Sequence, residues 1–298
     1  MPPTAMPPTG RLAPTPSGRL HLGNALAFGA AWLSARNGAR PPPSIKTDDV
    51  TFDTLRHSKT DDVTFDTSGR LLLRIEDLDQ GRARDEIAQS QRDDLRWLGI
   101  DWDEEVSPQS RRTYPLDGIP TYRCACSRAT RLSWGCRCRF LAGDTGAWRF
   151  RTPEGPVSFT DRARGPLTLP PGDDPILQRA DGTAAYPLAV IVDDARDGVT
   201  EVVRGADLLD ATPVQVRLHE ALGLPLPTYL HVPVLLGPDG RKLSKSHGST
   251  ELVALRATGW TPERVWDLLL PFLGAEPPFR DARMDLAQMP AGPLTVTG

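Results

Sequence analysis

An apolar strand, a turn and a helix follow one another twice in the first third of this chain. That alternation restricts the fold more than any other feature. Gly10–Pro14 (GRLAP) reads as a strand and PTPSGRLHLGN as the turn after it. An apolar stretch reaching Arg36 then puts Ala25, Phe28, Ala31, Trp32 and Leu33 on a helical face, and Asn37-Gly38 stops it. Leu71–Ile75 (LLLRI) is a second strand and runs into Glu76-Asp77-Leu78-Asp79. Ala83–Leu98 is a second helix, with Ile87, Leu95 and Leu98 inward and Gly99 at its end. The rhythm resumes at Ala185–Asp193 (AYPLAVIVD) and Val199–Arg204, followed by a helix near Pro213–Leu222 and an apolar strand at His231–Leu236. Strand and helix in alternation give a parallel sheet covered by helices, the α/β class.

Composition excludes several other classes. At 39% hydrophobic residues the chain can build a core. It has no apolar run of the roughly 18 residues that a spanning helix needs, so no membrane partner is expected. MPPTAMPPTG has neither a charged start nor an apolar h-region, which argues against a secretion signal. Four cysteines are too few for a disulfide scaffold, and a cytoplasmic setting is expected. A net charge of −3 excludes a uniformly basic coat but leaves room for a local basic patch.

Along the chain, residues 1–10 carry the imperfect repeat MPPTA/MPPTG and are expected to form a disordered arm, with Met6 as an alternative start. Residues 11–110 form the first half of the α/β unit. Ser44–Thr67 stands apart inside it, with two identical copies of KTDDVTFDT, no Ala, Gly or Pro, and a charge of −3. It reads as a tandem duplication in a surface loop, because two short copies cannot stack as a solenoid. From Arg111 the rhythm breaks, and 111–180 is expected to be an inserted, turn-rich segment. Arg111–Phe140 holds seven arginines against the single acid Asp117. Residues 181–250 complete the α/β unit, and 251–298 form a short helical end with helices around Glu251–Thr258 and Pro262–Leu273.

Three motifs carry chemistry. Pro14-Thr-Pro-Ser17-Gly18-Arg-Leu-His21-Leu-Gly23-Asn24 lies between strand and helix. Free N–H groups at a helix start favour phosphate there, Gly18 and Gly23 let the backbone approach a ligand, and His21 can hydrogen-bond an oxygen. Lys242-Leu-Ser-Lys245-Ser246 follows the glycines of Gly237-Pro-Asp-Gly240, which suggest a mobile loop. Only four of the 35 basic residues are lysine, and two of those four sit in this pentapeptide. That points to a compact charge on a flexible stem, able to reach phosphates. Cys124-Ala-Cys126 and Cys136-Arg-Cys138 are two close pairs, suggesting tetrahedral zinc, with buried unliganded thiols as the plainer reading.

The first two motifs together resemble the paired HIGH and KMSKS signatures of class I aminoacyl-tRNA synthetases. RLAPTPSGRLHLGN, LLRIEDLD, the stretch from AYPLAVIVDD through GVTEVVRGADLLDAT, and KLSKS look like the glutamyl branch. The resemblance covers about residues 11–37 and 69–275. Few residues follow the lysine motif, too few for the anticodon-binding region of a full-length enzyme, so the chain is most similar to the short glutamyl-Q tRNA(Asp) synthetase family. That resemblance implies a Rossmann-like parallel sheet interrupted by a small zinc-binding segment. It implies ATP with Mg²⁺, L-glutamate and a tRNA whose anticodon carries queuosine as partners, and a monomer is expected. It implies tRNA-independent formation of glutamyl-adenylate and transfer of glutamate to queuosine.

By the same resemblance Arg11, Leu12, Ala13, Pro14, Thr15, Glu76, Tyr186 and Arg204 hold glutamate, Arg11 and Arg204 taking carboxylate and Glu76 the ammonium. Ser17, Gly18, His21, Gly23, Asn24 and Lys245 hold ATP, and His21, Lys242 and Lys245 act in catalysis. The Arg-rich cysteine segment is the expected RNA-facing surface. Cys124, Cys126 and Cys138 match the family's ligand positions, but Trp134 stands where the family has a tyrosine. Either Cys136 replaces that ligand, which is the expectation, or the site is weakened. Two other readings stay open: a truncated synthetase charging a tRNA 3′ end, and a catalytically decayed paralogue that binds tRNA.

Overall fold

The computed structural model describes residues 7–37, 39–40, 69–126, 137–140, 144–237, 243 and 250–295. The chain begins with β1 (Thr9–Leu12), α1 (Leu22–Asn37), β2 (Ala39–Arg40), β3 (Arg70–Leu73), α2 (Asp85–Trp97) and β4 (Glu104–Glu105). A strand-rich stretch follows: β5 (Thr121–Cys124), β6 (Ala147–Phe150), β7 (Val157–Asp161), β8 (Gly165–Leu169) and β9 (Ile176–Gln178). The alternation then resumes through α3 (Tyr186–Arg196), β10 (Glu201–Gly205), α4 (Thr212–Leu222), β11 (Thr228–Val232) and β12 (Leu235–Leu236). Next come α5 (Leu252–Ala257), α6 (Pro262–Leu269), β13 (Met284–Asp285) and β14 (Leu294–Thr295).

β1, β3 and β4 form one parallel sheet, with Arg11 opposite Leu72 and Leu12 opposite Leu73. β10, β11 and β7 run parallel in a second sheet, and β8 closes it as an antiparallel hairpin partner of β7. The two sheets meet where the Thr200 N–H donates to Thr9 O at 2.9 Å, so β10 begins beside β1. The turn holding His21 and the side chain of Arg204 therefore lie at the carboxyl ends of β1 and β10, where open α/β sheets place their ligands.

Proline sets several boundaries. β1 stops at Leu12 because Pro14 and Pro16 offer no N–H to a ladder. The stretch read as one strand over His231–Leu236 is two short strands, β11 and β12, because Pro233 interrupts the hydrogen bonding. Ala185–Asp193 is helical from Tyr186 onward, and Pro187 lies in the first turn of α3, where a missing N–H costs nothing.

The sequence predicts one buried face for α1. The helix is buried on nearly every side, from Leu22 and Ala25 through Gly29–Ala35, because it is enclosed by β1, β3, β10 and α6. Trp266 of α6 lies so close to Gly29 that a Cβ there would fall 2.6 Å from its ring atoms, so only glycine fits. The Trp266 indole N–H donates to Leu98 O at 2.8 Å and its ring stacks on Phe279 at 3.8 Å. The segment after the lysine motif is thus locked onto the first strand–helix unit through one aromatic cluster.

Among the described residues no helix is long and apolar enough to cross a membrane. The duplicated segment lies outside the described residues, but its flanks are close: Gly69 N–H donates to Ala35 O at 2.6 Å.

Candidate active site

The turn after β1 is held from below and capped from within. Gln91 of α2 donates its side-chain amide to Thr15 O (2.9 Å) and Gly18 O (2.8 Å), fixing the loop's path. The His21 N–H donates to the Asn24 side-chain oxygen at 3.1 Å, and the N–H groups of Asn24 and Ala25 return to His21 O. His21 Nδ1 accepts the Gly23 N–H at 3.1 Å, so Nδ1 carries the lone pair and Nε2 the proton. A Cβ at Gly23 would lie 3.0 Å from His21 Cε1, so glycine there leaves room for the ring. The result is a donor imidazole beside the start of α1, whose own first-turn N–H groups attract anions.

Behind the turn lies a buried charge network. Arg74 is fully buried and spans three carboxylates: Asp194 at 2.7 Å, Asp197 at 3.1 Å and Glu76 at 3.3 Å. Arg11 also reaches Asp194, Nε to Oδ2 at 3.3 Å, and donates to Val203 O at 3.2 Å. Burial raises the Asp194 carboxyl, but Arg74 and Arg11 together outweigh it and hold Asp194 below the ordinary carboxylate range. For Glu76 the balance runs the other way: burial pushes its carboxyl up, against the pull of Arg74 and then Arg11. A cation bound beside Glu76 would restore its charge.

Arg204, at the end of β10, is 5% exposed and has only neutral partners among the described residues. Nε donates to His231 Nε2 (3.0 Å), Nη1 to Gln215 Oε1 (2.7 Å), and Nη2 to Thr212 Oγ1 (2.8 Å) and Leu208 O (3.4 Å). Burial lowers its pKa. A guanidinium this buried, with no ion-pair partner among the described residues, can accept an anion brought by a ligand.

These groups converge on a cleft of about 340 Å³ lined by Arg11, Ala13, Thr15, His21, Gly23, Asn24, Glu76, Tyr186 and Arg204. Tyr186, first residue of α3, has a pKa raised by burial and then by the nearby Glu76, so its phenol stays protonated. Four other expected site residues are not part of the lining. Leu12 is core, and Leu12 O and Pro14 O accept the Arg74 and Glu76 N–H groups, which fixes the wall behind the cleft. Ser17 and Gly18 belong to the turn that Gln91 supports. Lys242 and Lys245 lie outside the described residues, although Leu243 between them lines the same cleft.

Sequence reasoning missed Phe28, Asp207 and Leu208 in the lining and Arg74, Asp194 and Gln91 behind it. The only available signal was an arginine inside the apolar strand LLLRI and paired aspartates ending AVIVDD.

Away from the cleft, Cys124, Cys126 and Cys138 gather with their sulfurs within 4.8 Å of one another, Cys126 and Cys138 at 3.1 Å. None of the three is in a disulfide. Sulfurs on a tetrahedral zinc lie about 3.8 Å apart, so three thiols gathered this closely could share one metal ion after a small adjustment. Cys136 lies outside the described residues.

The pattern of the tRNA synthetases class I (E and Q), catalytic domain, matches residues 64–122 and 139–276. The chain belongs to that family. It is a ligase of the aminoacyl-tRNA synthetase class, built on the class I parallel-sheet fold. Among curated relatives, the glutamyl-Q tRNA(Asp) synthetase of Symbiobacterium thermophilum is 37% identical across 96% of this chain and 95% of its own length. That of Nitratidesulfovibrio vulgaris is 39% identical across 91% of this chain and 87% of its own. The crystal structure of a glutamate tRNA ligase from Elizabethkingia meningosepticum, in complex with its amino acid, superposes with a TM-score of 0.72 at 21% identity. It covers 97% of this chain and 67% of that one, and the two share the synthetase fold.

Proposed function

We propose that this synthetase activates L-glutamate with ATP and Mg²⁺, without tRNA, and passes the glutamyl group to queuosine in the anticodon of tRNA(Asp). The observation that carries the first half is the charge pattern of the cleft. Two guanidiniums, Arg11 and Arg204, meet the Glu76 carboxylate and the Tyr186 hydroxyl in one small space, whose lining also includes Asp207. Glutamate is the complement: two carboxylates and one ammonium. A neutral amide in place of the side-chain carboxylate would leave the buried Arg204 charge uncompensated, which disfavours glutamine.

The chemistry needs no general base, because the α-carboxylate is already ionised. Its oxygen attacks the α-phosphorus of ATP, the bond to the bridging oxygen breaks, and pyrophosphate leaves. His21 Nε2–H and the start of α1 hold phosphate oxygens, and Lys242 and Lys245 stabilise the charge that grows on them. A hydroxyl of the queuosine cyclopentenediol then attacks the glutamyl carbonyl, and AMP departs. The names of the relatives support this acceptor. Zinc would be held by Cys124, Cys126 and Cys138, with Cys136 as fourth ligand. It would act as a cross-link between the end of β5 and residues 137–140. Metal analysis of protein purified without chelator is expected to give about one zinc per chain. Cys136→Ser is expected to weaken retention as much as Cys124→Ser, and a metal-free wild type would rule the site out.

The acceptor is tested with labelled glutamate and tRNA(Asp) lacking its 3′-terminal adenosine. Label should enter the queuosine-containing tRNA and not the same tRNA bearing guanosine. Label that requires an intact 3′ end and ignores queuosine would replace this reading with ordinary 3′ charging.

A further inference from the structure

Arg204 does not reach the cleft unsupported. Its Nε–H ends on His231 Nε2 at 3.0 Å, and His231, fully buried on β11, does not itself line the cleft. For Nε2 to accept, the imidazole must be neutral with its proton on Nδ1. Asp161 enforces that tautomer, with its Oδ2 lying 2.7 Å from His231 Nδ1. The same Oδ2 accepts the His231 backbone N–H at 3.0 Å, while Oδ1 accepts the N–H groups of Ala163 and Arg164, both at 3.0 Å. Burial raises the Asp161 carboxyl, but the His231 and backbone hydrogen bonds outweigh it and keep it ionised. Burial likewise keeps His231 uncharged, pushing its pKa below the ordinary histidine value despite the Asp161 contact.

The consequence for Arg204 is specific. A carboxylate at the Nε position would neutralise the guanidinium inside the protein. A protonated histidine would oppose it, donor against donor. A neutral acceptor fixes the orientation of the guanidinium and leaves its charge unspent. Gln215, Thr212 and Leu208 O, the other partners, are neutral as well. Asp161 belongs to β7, which joins the sheet beside β11 through the pair Tyr229 and Asp161, so the relay is built across three strands.

We infer that His231, held in its Nδ1–H form by Asp161, is a positioning and specificity-determining residue for the glutamate carboxylate site. It orients Arg204 while leaving that guanidinium charged. This rests on the reading of Arg204 as a carboxylate receptor, and the two are tested separately.

The assay is glutamate-dependent ATP–pyrophosphate exchange on full-length variants, with thermal melts to confirm folding. His231→Leu removes the acceptor at similar volume and is expected to raise the KM for glutamate about ten- to hundredfold, the range for a lost hydrogen bond to a charged group. The KM for ATP should stay within about threefold. His231→Gln returns a neutral oxygen near the Nε2 position and should recover most of the loss. Asp161→Asn places an amide N–H toward Nδ1, turns the imidazole to its other tautomer, and should reproduce the glutamate-specific defect. It also serves if His231→Leu does not fold. An unchanged glutamate KM in either folded variant, or equal rises in both KM values with no rescue by glutamine, overturns the inference. Arg204→Gln separates the two claims. If it leaves the glutamate KM unchanged, the carboxylate-receptor reading fails; if it raises it while His231→Leu does not, only the positioning role fails.

Discussion

Replacing Arg74 by methionine removes a side chain that ties the segment after β3, which carries Glu76, to Asp194 of α3. Arg74 contacts Asp194, Asp197 and Glu76, but the three carboxylates are not equally dependent on it. Asp194 keeps Arg11 at 3.3 Å and Asp197 keeps Arg112 at 2.9 Å. Glu76 has no second ion-pair partner among the described residues. Breaking a buried pair by deleting one partner costs about 3–5 kcal/mol, and with two of the three acids still paired the lower end applies, about 3 kcal/mol. At about 2–4 °C per kcal/mol for a chain approaching this size, the melting temperature should fall by about 6–12 °C. The functional effect should concentrate on Glu76, whose carboxyl already sits above its ordinary value through burial and would rise further without Arg74. The variant should therefore show a raised KM for glutamate at neutral pH with ATP affinity largely kept. Thermal melts and pyrophosphate exchange measure both. A variant as stable as wild type, or one that loses glutamate and ATP affinity equally, would refute the assignment of this network to the ammonium side of the site.

Three further perturbations test the proposed mechanism and the loop reading. Lys245→Ala should lower the activation rate by about 10²–10³ with glutamate binding nearly intact, because its charge is needed in the transition state; an unchanged rate with a raised KM would reassign it. Glu76 is neutral below its raised pKa and charged above it, so the glutamate KM should fall as pH rises through that region and then level off. Superimposable pH profiles for wild type and Glu76→Gln would contradict that. Deleting Lys46–Ser58, one repeat of the duplicated segment, should leave exchange activity almost unchanged, since Ala35 and Gly69 are already joined at 2.6 Å and loop length costs little. Insoluble expression would show that the duplication belongs to the core.

The sequence disclosed the parts of the site that depend on local chemistry. Glycine and histidine after a strand, a charged triplet at a strand end and an arginine in RGADL are legible because each needs a particular residue type at a particular spacing. The supporting shell was not. Gln91 reads as an ordinary polar residue on an amphipathic helix, yet it points inward and ties down two carbonyls of the turn. Asp161 and His231 lie 70 positions apart, and only the β7–β11 pairing brings them together. The extent of α1 burial was hidden for a related reason. A helix with apolar residues on every side has no preferred face, and which neighbours enclose it is decided by α6, far along the chain.

The most direct test of the account is ATP–pyrophosphate exchange with purified protein and no tRNA. The cleft, with Arg11, Glu76, Tyr186 and Arg204 around one space, predicts exchange that saturates with L-glutamate and is absent with L-glutamine. Exchange that appears only when tRNA is added, or that proceeds equally well with glutamine, would contradict it.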